Sequence, residues 1–173
     1  MTPRRAAEDP LGRLFDEHAT GLLRFLAFRT GDRALAEDIL GDTFERALAA
    51  RRRPRGDAEK AWLYAIALNR LRDLARRSDA EQRALGRDYD PRPQPDAVSA
   101  VEDRDLVHRA LAGLPEDERT ALSLRYGGDL ALREIAELTG ERQTTIEGRI
   151  YRGLRRMRTD LQAADQIPAR SLV

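Results

Sequence analysis

The chain has 173 residues, 41% of them hydrophobic and 35% charged, with a formal net charge of +1. It has no cysteine, which excludes disulfides, thiol chemistry and cysteine-ligated zinc. The near-zero net charge excludes an overall basic field for nucleic acid, so any such contact must come from local patches.

Helical periodicity dominates from the start, with no convincing strand pattern. "MTPRRAAEDPLGRLF" is basic but has no apolar run after it, so no secretory signal is expected. No stretch approaches the roughly 20 apolar residues that span a bilayer, and a cytoplasmic protein without membrane contact of its own is expected. Leu11, Leu14, Phe15, Leu22, Phe25 and Phe28 recur at helical spacings and predict a first helix over Leu11–Arg29. "TGD" ends it, and Asp32 is placed to cap a second helix reaching about Arg52. "RRRPRGD" stops that helix, because Pro54 and Gly56 continue a helix poorly.

Asp57 is expected to cap the third helix, "AWLYAIALNRLRDLARR", Ala61–Arg77. Leu63, Ile66, Ala67, Leu71 and Leu74 form its apolar stripe, and Arg70 falls within that stripe with its head expected to snorkel out. Trp62, Asn69 and Arg76, spaced by seven, form a second face together with Arg72. An indole, an amide and guanidinium groups suit base stacking, base edges and phosphates, although a half-buried Trp beside a solvated face has the same pattern. Three such helices make a small bundle over residues 8–77.

Ser78–Asp103 is charged, aperiodic and carries prolines at alternate positions, so it is expected to be a flexible linker between two independent bodies. The second unit, 104–161, reads as four short helices, and 162–173 as a tail. Pro115 opens one of these helices. "REIAELTGERQTTIEGRIYRG" has helix-turn-helix spacing: Ala136 where the helices cross, Gly140 in the turn, Ile146 starting the second apolar stripe. Ile150, Gly153 and Met157 continue inward. Thr145, Arg149, Arg152 and Arg156 are expected to share an outward sector suited to the major groove. The basic side chains are all arginine except Lys60; genomic base composition accounts for such a bias, and arginine is also the better residue for phosphate and guanine. The fold class expected is all-α, two small helical domains joined by a linker.

The order of these parts resembles the extracytoplasmic-function group of bacterial alternative sigma factors. "AEDILGDTFERAL" is similar to that family's polymerase-binding helix, "AWLYAIALNRLRDLARR" to its promoter-melting helix, and "ALAGLPEDERTALSLRYGGDLALREIAELTGERQTTIEGRIYRGLRRMR" to its C-terminal helix-turn-helix domain. The resemblance implies that Asp38, Ile39, Leu40, Asp42 and Phe44 grip the coiled coil of the polymerase's largest subunit, with Gly41 where the family usually has glutamine. It implies that the loop Arg51–Glu59, with Arg51, Arg52, Arg53 and Arg55, captures a flipped base of the −10 element. Trp62, Asn69, Arg72 and Arg76 then hold the opened strand. Gln143, Thr145, Arg149, Tyr151, Arg152 and Arg156 would face the −35 element. Glu147 and Gly148 depart from the basic residue and serine usual there, and an acid facing phosphate is unfavourable, which leaves Glu147 reading a cytosine amino group or lying off the DNA.

The implied partners are core RNA polymerase, through its coiled coil and flap region, promoter DNA, and an anti-sigma factor. No cofactor, metal or catalytic residue is expected; His18 and His108 are expected as helix-surface residues. A stand-alone helix-turn-helix regulator with a helical sensing or dimerisation domain explains residues 104–161 equally well, but leaves Arg51–Arg55 and the Trp/Asn/Arg face without a role. An enzyme using Glu37, Asp38 and Asp42 lacks any partnering histidine or cysteine.

Overall fold

In a computed structural model, residues 10–56, 58–84 and 102–165 are described. Among them the structure is helical: α1 (Pro10–Thr30), α2 (Arg33–Ala49), α3 (Ala58–Ala84), α4 (Glu102–Ala112), α5 (Glu116–Leu122) running into a π-helical turn (Ser123–Gly127), α6 (Leu132–Thr139) and α7 (Gln143–Asp165). Helix α3 continues past Arg77 to Ala84, so the start of the expected linker is helical. Likewise α7 extends beyond Leu161 to Asp165. Asp57, the expected cap of α3, lies outside the described residues, as do most of the linker and the end of the tail.

Helices α1–α3 form the N-terminal bundle. Gly31 closes α1 in the left-handed conformation (φ 72°), and the Asp32 side chain accepts from the Leu35 amide at 3.0 Å to open α2. Leu14, Leu22, Phe25 and Leu26 from α1, Ala36, Ile39, Phe44 and Ala47 from α2, and Leu63, Ala67 and Leu68 from α3 make the core. Each large side chain buried there contributes about 1.5–3 kcal/mol.

The C-terminal unit packs α4 and α5 against α7, with α6 crossing α7. Gly140 takes φ 71° in the turn between α6 and α7, the conformation the helix-turn-helix spacing demands. Leu111, Leu122, Ile135 and Ile146 are buried at its centre. At Gly153 α5 and α7 approach so closely that a Cβ would stand 2.7 Å from Leu122 Cδ1.

The two units are not independent bodies here. Leu124 and Leu130 of the C-terminal unit belong to the same buried cluster as Phe25 and Tyr64 of the bundle. The π-helical turn lies on α1, and α6 touches α3. The linker's composition speaks only for the segment between the units and is silent about their mutual affinity, which depends on complementary side chains far apart in sequence.

Candidate functional site

Helix α2 turns two different faces outward and inward. Ile39 is 1% exposed and Phe44 7%. These two are core residues, because they share the inward stripe with Ala36, Thr43 and Ala47; they cannot form a gripping surface directly. Phe44 instead packs against Phe15 of α1, ring centroids 4.8 Å apart and the rings tilted by 56°. Asp38 and Gly41 are exposed and Leu40 is half-buried. Asp42 accepts from Arg70 Nε at 2.6 Å, so the arginine that interrupts the α3 stripe is held by a carboxylate on α2 instead of reaching water freely. Glu37 is bound by Arg33. Leu35 and Leu48 are exposed apolar residues on α2 that periodicity passes over, because both lie off its inward stripe.

The loop between α2 and α3 encloses a cavity of about 360 Å³ lined by Arg13, Leu14, Arg53, Pro54, Arg55, Gly56, Glu59 and Trp62. Arg53 anchors the loop by donating to the Leu48 carbonyl at 2.8 Å. Gly56, at φ 65°, turns the chain into α3. Arg51, Arg52 and Arg55 are exposed and Trp62 is half-buried. Sequence spacing misses Arg13 here, and gives no sign that Glu59, the last residue of the expected loop, is buried: Arg13 of α1 donates to both Glu59 oxygens at 3.0 Å and also pairs with Glu17. Glu17, His18 and Glu59 have oxygen or nitrogen atoms within 4.8 Å of one another, but the Arg13 guanidinium already holds both carboxylates.

Farther along α3, Asn69, Arg72 and Arg76 are exposed. Asn69 accepts from Arg72 at 3.2 Å. Arg76 hydrogen-bonds Asp73 and holds that carboxyl below its ordinary range. The face is a row of polar groups, two separate hydrogen-bonded pairs, with Trp62 at its head.

On α7 the structure corrects the expected outward sector. Arg149 is only 20% exposed and is held by Asp117 of α5 at 3.0 Å and by Glu141. Arg152 and Arg156 both reach back to Glu118, at 3.3 and 3.1 Å, and Glu118 is buried. Three of the four residues in that sector thus face the acidic start of α5, because they flank the apolar stripe instead of opposing it. The side opposite Ile146 and Ile150 carries Thr144, Gly148, Tyr151 and Arg155; Tyr151 is 69% exposed. Arg152 borders this face and keeps half its surface. Gln143, Thr145 and Glu147 are exposed at the first turns, where Gln143 donates to Glu147 at 3.5 Å. Arg155 is a candidate the sequence sector omitted.

A helix-turn-helix with an exposed Tyr/Arg face, and a bundle with an arginine-lined cavity beside a Trp/Asn/Arg row, both carry side-chain chemistry of the kind that contacts nucleic acid. Comparison with known proteins finds relatives. Residues 14–81 match the family model described as sigma-70 region 2, and residues 104–157 match sigma-70 region 4. The chain is 35% identical over 167 residues to the ECF RNA polymerase sigma factor SigL of Mycobacterium tuberculosis, covering 91% of this chain and 92% of that one. It is 33% identical over 144 residues to the RNA polymerase sigma factor SigV of Bacillus subtilis, covering 83% and 84%. Among solved structures, the sigma factor RpoE of Bartonella quintana, in complex with the anti-sigma factor NepR, aligns with a TM-score of 0.68 at 26% identity, over 87% of this chain and 97% of that one.

Proposed function

The chain belongs to the extracytoplasmic-function group of sigma factors, and from that premise we propose how its residues divide the work of binding core RNA polymerase and directing promoter-specific initiation. The region 2 cavity between α1, the loop and α3 would take a flipped base of the −10 element, with Trp62 as the stacking surface and the exposed arginines 51, 52 and 55 on the backbone. Asn69, Arg72 and Arg76 would carry the strand onward. In region 4, Tyr151, Arg152 and Arg155 would face the −35 duplex, while Arg149 and Arg156 hold α7 on α5. The exposed row Leu35, Asp38 and Gly41 of α2 is the surface for the polymerase coiled coil. The chemistry is that of the polymerase, and the protein works in the cytoplasm, where that enzyme is. An anti-sigma factor is an expected partner, as for the Bartonella relative.

The observation that carries this assignment is the co-occurrence, in one chain, of a helix-turn-helix with an exposed Tyr/Arg face and an arginine-lined cavity on a separate bundle. A plain repressor needs only the first. The test is to mix the full chain with core polymerase: co-elution and transcription from one promoter class are expected, and sequence-specific DNA binding that never requires polymerase would overturn it. Within that assay, Asp38→Arg is expected to abolish co-elution while the chain stays folded. Asp42→Arg is a poorer probe, because it would set two like charges together at the Arg70 pair.

A further inference from the structure

Region 4 holds a buried carboxylate outside the surfaces assigned above. Glu118 of α5 is 3% exposed and faces α7. The two helices approach closely at Gly153, where a Cβ would stand 3.5 Å from Glu118 Cβ. That approach shields the carboxylate from water and gives it partners on α7: Arg152 Nε donates to Oε1 at 3.3 Å, and Arg156 Nε stands 3.1 Å from Oε2. Of these two, only the first is aligned as a hydrogen bond. A buried carboxylate paired in this way adds little stability over apolar packing; what it fixes is direction.

Arg152 is held at one end by Glu118 and given room at the other by Gly148. A Cβ at Gly148 would stand 3.2 Å from Arg152 Nη1, tighter than an ordinary contact. The guanidinium thus lies back along α7 toward its N-terminus, as helical side chains lean. It reaches over the bare backbone of Gly148, on the side opposite Ile146 and Ile150. With Nε committed to Glu118, the two Nη groups are the donors left for a ligand. Such a pair of donors matches guanine, whose O6 and N7 accept together in the major groove. Fixing a rotamer-rich side chain before binding also removes part of its ordering cost on DNA.

We propose that Glu118, a residue of α5 and not of the DNA-facing helix, sets −35 specificity by aiming Arg152 across Gly148 at a guanine of the −35 duplex. Glu118 itself touches no DNA; it is a positioning residue. This role rests on the assignment of Arg152 to the −35 duplex made above. It also gives Gly148 a purpose: the residue that departs from the serine usual at that place is the opening that the guanidinium occupies.

The test uses holoenzyme assembled from the full chain and core polymerase. It is bound to a promoter that the unaltered chain transcribes, randomised over the −35 element, and the retained duplexes are sequenced. A bidentate arginine–guanine pair discriminates against other bases by about 5- to 150-fold. Arg152→Ala should lose that preference at one base pair, and that pair should carry guanine. Glu118→Gln should lower the preference at the same base pair several-fold and leave the other positions and the −10 preference unchanged. Combined with Arg152→Ala it should add nothing further, because it acts through that side chain. A merely structural Glu118 would instead weaken all −35 sequences alike and add to Arg152→Ala. Should Glu118→Gln lose helix content, Gly148→Ala decides: it favours the helix but crowds Nη1, and should lower the preference at the same base pair. A uniform loss, an unchanged preference, or additivity with Arg152→Ala overturns the positioning role. If Arg152→Ala itself leaves the −35 preference intact, the assignment of Arg152 to the duplex falls as well. The sigma assignment is read separately, from co-elution and transcription by the unaltered chain.

Discussion

At the scale of single residues, the arginines of α7 have different jobs despite a shared helix. Arg149 is largely covered and tied to two carboxylates, whereas Tyr151 stands clear of the protein. Removing Arg149 leaves Asp117 and Glu141 without that partner at a partly buried site. Arg149→Ala is therefore expected to cost about 1–2 kcal/mol, seen as a lower thermal midpoint, and to weaken −35 binding only through that loss. Tyr151→Ala should change stability by less than about 0.5 kcal/mol, since it empties no packed space. It should nonetheless lose preference within a library of −35 variants. Equal thermal midpoints for the two variants would refute this division.

At the scale of elements, α2 combines an inward stripe with an exposed glycine. A Cβ at Gly41 would meet nothing within 4 Å. Glycine within a helix costs about 0.5–1 kcal/mol relative to alanine, through backbone entropy. Gly41→Ala should therefore stabilise the chain by about that amount, measured as a higher urea midpoint with an unchanged slope. A loss of stability would mean that α2 is not helical through this point. The same substitution tests the partner side: if the coiled coil needs a flat approach at Gly41, the more stable variant will bind polymerase more weakly.

At the scale of the whole molecule, the junction between the units carries titratable pairs. Burial pushes the Glu116 carboxyl up, but the Arg29 and Arg119 guanidiniums outweigh it and hold it below 4.5. Burial acts likewise on Glu134, where Lys60 and the Ala131 amide prevail. A carboxyl depressed in the folded state adds stability above its unfolded pKa and loses it as pH falls through the folded value. Below about pH 4.5, stability should therefore fall, and a Glu116→Gln, Glu134→Gln chain should show a shallower acid loss in thermal melts. An equal acid slope would remove these pairs from the account. The shared core makes a further expectation. A protease site inserted between 85 and 101, once cut, should leave two fragments that co-elute on gel filtration; separate elution would return the chain to two independent bodies.

Much of this protein is determined by sequence alone: its helical class, the Asp32 cap, the left-handed Gly140 turn and the inward stripes of α1, α3 and α7, with the exception of Phe15, which the α1 periodicity places inward and the structure leaves 46% exposed. These depend on period, capping chemistry and backbone sterics, all local to a few turns. The family, too, is legible in the order of three motifs. Tertiary structure decided which polar residues are free. Arg70 is held by Asp42, Arg13 by Glu59, and Arg149 by Asp117. A helical projection places an arginine on a sector but does not say whether an acid on another helix faces it. It decided, too, why Tyr64 is buried on a helix whose stripe accounts for Leu63: the Tyr64 hydroxyl meets Gly128, 64 positions away. No periodicity reaches that far, because the contact depends on how side chains of two units distant in sequence fit together.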